Sequence, residues 1–318
     1  MIKITKRAYV HNSFSLHDTG AGHAEQKARA AAMLSALNAC PTWQKEQAER
    51  ADLAHILRAH DQAYVEKIKA IDQDLQQNGN PDRLLALDED TRMMSQSYQA
   101  ALHAVGANLQ AIDALCSGEI QRAYIAARPP GHHAERNRAM GFCIFSTIAI
   151  AALYALEQDN IERVAIVDFD VHHGNGTQDI IGDHPDILFI SSHQMPLYPG
   201  TGRADETGRD NTVINIPLQE GSSGQEMRAL YQEKVFPAIR AFKPDLLLVS
   251  AGFDAHNDDP LAGLCWDEND YAWLGAQLSA LADECCQGRM LSSQEGGYNL
   301  EALTASIKAY LSAQEARS

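Results

Sequence analysis

The chain has 318 residues, with 26 Lys and Arg against 42 Asp and Glu, a formal net charge of −16. Hydrophobic residues make up 45% and charged residues 21%, which excludes a disordered chain and fits an ordinary folded protein. So acidic a balance argues against general binding to nucleic acid or anionic membranes, which needs a basic footprint, and weakly favours cationic ligands.

From the N-terminus, MIKITKRAYVHNSF lacks the apolar run of a secretory signal. No later stretch approaches the ~20 apolar residues of a membrane span. The six cysteines (Cys40, Cys116, Cys143, Cys265, Cys285 and Cys286) include no C-x-x-C pair. They read as buried free thiols in a reducing compartment, so the expected location is the cytoplasm. Patterning predicts strands over 2–10, 122–127, 164–170, 187–192, 212–216, 246–251 and 290–293. It predicts helices over 25–37, 45–58, 63–75, 97–115, 146–157, 224–241, 268–284 and 301–314. NGNPD at 78–82 reads as a surface turn and SAQEARS at 312–318 as a solvated tail. The runs AIVDFD and DLLLVSAGF are near-continuously apolar, as strands buried on both faces must be. Strand–helix alternation without a linker or repeat predicts one doubly wound parallel α/β domain over 1–318.

In such sheets the ligand site gathers beyond the carboxyl ends of the strands. Five predicted strand ends carry clusters of His, Asp, Tyr and Gly: RPPGHHAERNRAMGF, VDFDVHHGNG, SSHQMPLYPGTG, SAGFDAHNDDP and QEGGYN. Asp168, Asp170 and His172 alternate, which on a strand would place them on one face. Asp170 and His172 with Asp254 make a set of two carboxylates and one imidazole, suited to a divalent ion of the zinc or iron class. Three protein ligands leave a position open, the mark of a catalytic site. Alone, D-x-D-x-H could be a solvated strand terminus; Asp254 at a second buried strand end argues against that. His132 and His133, behind a Pro-Pro-Gly turn, are candidates for a general base and its electrostatic partner, with Asp168 and Asn175 as orienting acceptors. Tyr298 follows two glycines, so its loop is expected to move, and its phenol can donate to a developing oxyanion. Together these groups describe metal-assisted acyl transfer in which water attacks a carbonyl and an amine leaves.

RPPGHHA, GFC, DFDVHHGNGTQ, YPGTG, SAGFDAH with DDPL, and EGGYN, in this order, resemble the zinc-dependent histone deacetylase and acetylpolyamine amidohydrolase superfamily. Asn175 resembles its class II-like branch. The resemblance implies the arginase/deacetylase fold, a central eight-stranded parallel sheet between helical layers. It implies that Asp170, His172 and Asp254 bind zinc, with ferrous iron as the alternative. His133 would be the general base and then the acid for the leaving amine, and His132, oriented by Asp168, would give electrostatic help. Tyr298 would polarise the acetyl carbonyl. The substrate contacts carried over are Gly141, whose carbonyl would accept from the substrate amide, Phe142 and Tyr198 as tunnel walls, Leu261 and Gly297. Asp90 matches a carboxylate at the tunnel rim, with Asp88 as its alternative. A structural potassium ion would be held by Asp168, Asp170, His172 and Ser191. Arg29 matches an arginine lining an acetate exit, against the plainer reading of an exposed helix charge. His193 and His256 read as supporting hydrogen-bonders, Trp266 and Trp273 as core, and Cys285 and Cys286 as without catalytic role.

The chain departs from the family pattern at His23-Ala24-Glu25-Gln26, Tyr198, Ser146-Thr147 and Gln294, none of which removes a catalytic group. The expected substrate is an acylated lysine of a peptide or protein, with an acetylated polyamine as the alternative. A ureohydrolase is disfavoured because D-V-H-H-G lacks the second acid of a two-metal site. A non-catalytic acyl-lysine reader is disfavoured because the histidines and Tyr298 are intact. Neither nucleic acid nor membrane is expected as a partner.

Overall fold

A computed structural model of the chain describes residues 5–77, 80 and 83–314. Residues 2–4 of the first predicted strand, most of the 78–82 turn and positions 315–318 of the tail lie outside the described residues. The strands are β1 (Lys6–Val10), β2 (Trp43–Gln47), β3 (Leu85–Ala86), β4 (Arg92–Met93), β5 (Arg122–Ile125), β6 (Val164–Asp168), β7 (Ile187–Gln194), β8 (Val213–Leu218), β9 (Leu246–Ala251) and β10 (Met290–Gln294). Eight of them form one sheet in the order β2-β1-β5-β10-β9-β6-β7-β8, every pairing parallel. β3 and β4 make a separate antiparallel pair. This is the arginase/deacetylase fold.

The apolar runs build both faces of the sheet at once. Along β6, Val164 and Ile166 join one core while Ala165 and Val167 join the other, and Leu246–Val249 on β9 divide in the same way. The first core is closed by helices Gln62–Gln77, Ser97–Cys116 and Thr147–Ala155, the second by Ala28–Asn38, Glu268–Cys285 and Leu300–Ser312. The central four strands, β5, β10, β9 and β6, are those whose carboxyl ends carry PPGHH, EGGY, GFD and DFDVH.

Three expectations are corrected. The predicted helix at 45–58 is replaced by β2 and a short helix, Leu53–Ile56. Only Trp43 of β2 is fully packed, and an edge strand can leave Gln44, Lys45 and Gln47 exposed, so its composition reads as helical. Pairing of Trp43 with Lys6 on β1 overrides that propensity. The predicted strand at 164–170 ends at Asp168, so Asp170 and His172 stand on the following loop rather than on a strand face. Helix 224–241 divides into Gly224–Leu230, a widened turn Tyr231–Val235, and Phe236–Phe242, the widened turn lying just before Pro237, which has no N–H to donate. Helix Asn175–Ile181, absent from the sequence reading, follows the site loop.

Leu248 is wholly buried at the centre of β9. Truncation to Ala is expected to lower unfolding free energy by about 2–5 kcal/mol. The readout is a lower urea midpoint at unchanged slope; a negligible shift would mean that the cavity collapses around the missing side chain.

Candidate functional site

The chain leaves the sheet at Asp168 in a loop that turns its backbone onto its own carboxylates. The N–H of Asp170 donates to Asp168 Oδ1 (3.1 Å) and that of His172 to Asp170 Oδ1 (2.9 Å). From β9, Asp254 Oδ1 accepts from the N–H of Val171 (3.0 Å). These bonds aim Asp170, His172 and Asp254 at one point, with ligand atoms within 4.8 Å of one another and all three residues buried. His172 Nδ1 lies 3.0 Å from Asp170 Oδ1 and 3.1 Å from Asp254 Oδ2. Two buried carboxylates need a cation. Either a proton on His172 or a divalent ion can supply it, and the donor set fits the zinc class. The backbone comes so close that a Cβ on Gly296 would sit 2.0 Å from Asp254 Oδ2. His173, where a two-metal site would need an acid, bonds instead to Thr201 (2.8 Å) and Gln178 (2.9 Å).

The tandem histidines leave β5 and receive different partners. His132 Nδ1 donates to Asp168 Oδ2 (3.0 Å), while His133 Nδ1 donates to Asn175 Oδ1 (2.7 Å). Burial opposes charge on His132, but Asp170 and Asp168 outweigh it and hold its pKa well above the ordinary range. Burial, reinforced by His132 and His172, holds His133 well below that range. The two adjacent rings are therefore biased in opposite directions, His132 towards the imidazolium and His133 towards the neutral form.

Tyr298 closes the site from β10. Burial pushes its phenol well above the ordinary pKa, only partly countered by the Arg29 guanidinium, so the hydroxyl stays a donor. Its turn is pinned, contrary to the expected mobility. Gln294 Nε2 donates to the carbonyls of Glu295 (3.0 Å) and Gly296 (2.7 Å). Arg29 donates to those of Gly297 (2.7 Å) and Glu295 (2.5 Å), and Asp259 accepts from the N–H of Tyr298 (2.6 Å). Arg29 is thus wholly buried under the Tyr298 ring, 4.9 Å from its centroid, and is not an exposed helix charge.

Phe142 and Tyr198 frame the approach. Phe142 meets Tyr298 edge-on at 5.7 Å, and Tyr198 meets His133 at 5.2 Å. Gly141 has φ +55°, and a Cβ there would lie 2.3 Å from the His133 ring, so only glycine lets this backbone touch the histidine. Asp90 lies beside it, its pKa raised by burial and by Asp88. Leu261, Pro260, Tyr298 and the 18–28 segment line a cavity of about 640 Å³. Ser191 sits opposite Asp168 across β6–β7 and bonds to His193 Nδ1 (3.0 Å). His256 and Trp266 are buried, Trp273 is half-buried, and Cys265 is exposed, against the expectation of buried thiols.

Sequence reasoning missed the acids behind the site, of which Glu295 and Glu25 are fully buried and Glu135 is partly exposed. Glu295 accepts from the N–H groups of Gly131 (2.6 Å) and His132 (3.1 Å), and burial pushes its pKa up to about 7. Glu25 pairs with Arg29 and Arg128, all three wholly buried. Glu135 Oε1 accepts from Asn175 Nδ2 (2.8 Å). Their signal was adjacency to the motifs: Glu295 opens EGGYN, Arg128 opens RPPGHH and Glu135 follows HHA.

A family profile described as the histone deacetylase domain matches residues 23–314. An uncharacterised protein of Synechocystis is 41% identical over 300 residues, covering 92% of this chain and 94% of its own. The chloroplastic histone deacetylase 10 of rice is 44% identical over 219 residues, 66% of this chain; that region is 49% of the rice protein. The solved HDA15 HD domain superposes with a TM-score of 0.88 at 30% identity, covering 96% of this chain and 90% of that one.

Zinc binding to the metal-free protein at pH 7 is expected to release close to one proton per ion. Burial disfavours charge on His172, but bonds to Asp170 and Asp254 outweigh it and raise its pKa to about 10. The ion must displace that proton, so affinity strengthens by about tenfold per pH unit as pH rises towards that value, and weakens as pH falls. Calorimetry in buffers of different ionisation enthalpy reads the proton count. A count of zero would show that His172 is already neutral.

Proposed function

The chain belongs to the histone deacetylase family and is a hydrolytic deacetylase, and we propose that it removes acetyl and related short acyl groups from lysine side chains of peptides or proteins. The observation that carries the chemistry is one buried ligand triad facing a neutral, Asn-held histidine and a protonated phenol. We assign the whole of 1–318 to one catalytic domain.

Asp170, His172 and Asp254 would hold zinc or ferrous iron, which supplies Lewis acidity towards the attacking water and the acyl carbonyl. His133 has its Nδ1 hydrogen committed to Asn175, so Nε2 is free to take the proton from water and then to pass it to the leaving amine. His132, charged through Asp168, steadies negative charge developing on the carbonyl oxygen. Tyr298 donates to that oxygen from its pinned turn. The Gly141 carbonyl accepts from the scissile amide N–H, while Phe142, Tyr198, Leu261 and Gly297 flank the acyl-lysine stem. Asp90 at the rim accepts from the substrate backbone. Asp168, Asp170, His172 and Ser191 would hold structural potassium. Among the described residues no helix is long and apolar enough to cross a membrane. A cytoplasmic setting accords with six unpaired cysteines, which suit a reducing compartment.

The peptide reading rests on the cavity of about 640 Å³ that adjoins Tyr298. A substrate with bulk flanking the acylated amine can use that space, whereas a thin polyamine cannot. Its one ion pair, Asp18 with Lys27 (2.5 Å), already neutralises the acid that an amine would seek. An acetylated polyamine is the second reading, favoured by Asp88 beside Asp90, a pair that a cationic amine would relieve.

Two measurements test these assignments. On zinc-loaded protein, kcat/KM for acetyl-lysine peptides is expected to exceed that for N-acetylputrescine and N8-acetylspermidine by about tenfold, or 1.4 kcal/mol. The reverse order would make polyamines the substrate. Tyr298→Phe is expected to lower kcat by about 10²–10³-fold with zinc content unchanged; full activity in that variant would remove the phenol from the mechanism.

A further inference from the structure

The side chain that orients the base is itself ambiguous. Asn175 carries a carbonyl oxygen at one end and an NH₂ at the other, and the two ends have nearly the same shape. Only one orientation serves the reaction. If the oxygen faces His133, Nδ1 must carry hydrogen and Nε2 keeps the lone pair that accepts a proton. If the NH₂ faces His133, the tautomer reverses, Nε2 carries the hydrogen, and the ring cannot act as a base. The neighbours of Asn175 therefore decide whether His133 is competent.

We propose that Glu135 is a positioning residue for this reaction, acting through the Asn175 amide to fix the tautomer of His133. The geometry is a relay: His133 Nδ1 to Asn175 Oδ1 (2.7 Å), then Asn175 Nδ2 to Glu135 Oε1 (2.8 Å), with Arg138 Nη2 on Glu135 Oε2 (2.9 Å). A flipped amide would place its oxygen against the Glu135 carboxylate, where no hydrogen separates the two. The other contacts of Nδ2 are weaker: the His133 carbonyl is long at 3.4 Å, and Met140 Sδ (3.3 Å) is a thioether, a poor acceptor beside a carboxylate. Glu135 is held in turn by its backbone, whose N–H donates to the Arg138 carbonyl (2.9 Å). An Asp at 175 would need no such orienting, but beside Glu135 it would set two carboxylates in hydrogen-bond contact with no proton between them. The neutral amide and the acid behind it therefore belong together as a pair.

The inference rests on His133 being the base, so its test reads the tautomer separately from turnover. Four zinc-loaded full-length proteins are compared: wild type, Glu135→Met, Asn175→Asp, and Asn175→Asp with Glu135→Gln. Imidazole 15N shifts of His133 distinguish hydrogen on Nδ1 from hydrogen on Nε2, and kcat and KM are measured on an acetyl-lysine peptide. Melting curves and zinc content establish that each variant is folded and loaded. Glu135→Met is expected to move His133 from an Nδ1–H to a mixed population and to lower kcat by about tenfold, with KM within about twofold. Asn175→Asp alone is also expected to be impaired. Exchanging the pair restores an acceptor for His133 and a donor behind it, and should recover at least about fivefold over Asn175→Asp. A purely structural role would not produce that recovery. An unchanged tautomer in Glu135→Met, or a pair exchange no better than Asn175→Asp, overturns the proposal. If the tautomers respond as stated while wild type hydrolyses no acylated amine, the positioning role stands and the reading of the reaction falls.

Discussion

Buried negative charge is the constraint on which the rest of the molecule depends. Asp168, Asp170, Asp254 and Glu295 are all fully buried around the carboxyl ends of neighbouring central strands. An isolated carboxylate in such a place costs several kcal/mol or changes its protonation state. The protein answers with directed backbone. Asp170 accepts from the N–H groups of His172 and Gly296, Asp254 from Val171, and Glu295 from Gly131 and His132. Those bonds bring backbone against carboxylate just past β6, β9 and β10, where a Cβ on Gly174, Gly252 or Gly296 would collide with Asp168, Asp170 or Asp254. Backbone N–H groups supply partial charge only. The remaining deficit falls on His132 and on a cation at the triad, for which either a proton on His172 or a divalent ion can serve, so the electrostatics that make the site costly to fold also suit it to a metal.

A second buried network carries that precision outward. Glu25 sits between Arg29 and Arg128, with His17 beside it, and none of the four reaches solvent. Arg128 immediately precedes PPGHH, and Arg29 grips the carbonyls of the turn that ends in Tyr298. One carboxylate from the N-terminal segment therefore fixes both the strand end bearing the histidines and the turn bearing the phenol. Removing it would leave two guanidinium groups buried without a counter-ion, a loss of about 3–5 kcal/mol for a pair of this kind. The N-terminal segment, which lacks the family's usual Pro and Arg beside Glu25, still performs this task because Arg29 and Arg128 reach it from elsewhere.

The parts legible in sequence were those where one physical demand dominates. Strands buried on both faces must be apolar throughout, so β6 and β9 were plain, and the clusters following them marked the site. The edge strand β2 was missed because an edge need bury only one side chain, Trp43, and the rest of WQKEQ follows no strand pattern. Asp170 and His172 were expected to converge along a strand face, whereas a loop brings them together; the spacing was informative and the mechanism behind it was not. The pinning of Tyr298 was illegible for a different reason. Two glycines suggest freedom, and only the fold reveals that Gln294, Arg29 and Asp259 bond that turn from three directions. Gln294, which looked like a misplaced polar residue, is fully used, since its oxygen also accepts from Tyr124 (2.5 Å).

The same division separates the chemistry from the choice of substrate. The groups proposed to act on the amide stand at the ends of β5, β6, β9 and β10, where sheet register and buried charge leave little room for variation. The groups proposed to meet the rest of a substrate stand elsewhere: Asp90 beside the β3–β4 pair, Tyr198 past β7, and Leu261 past β9. His23 touches Phe142 at 4.7 Å and bonds to the Asp90 carbonyl (2.9 Å), so the N-terminal segment packs against both Phe142 and the acidic rim. Asp90, Tyr198 and Leu261 are outside the buried Glu25–Arg29–Arg128 network, so changes at these three positions leave those charges paired. On the function proposed above, changes at these positions would alter how groups flanking the acylated amine are received while the site beneath them stays as it is.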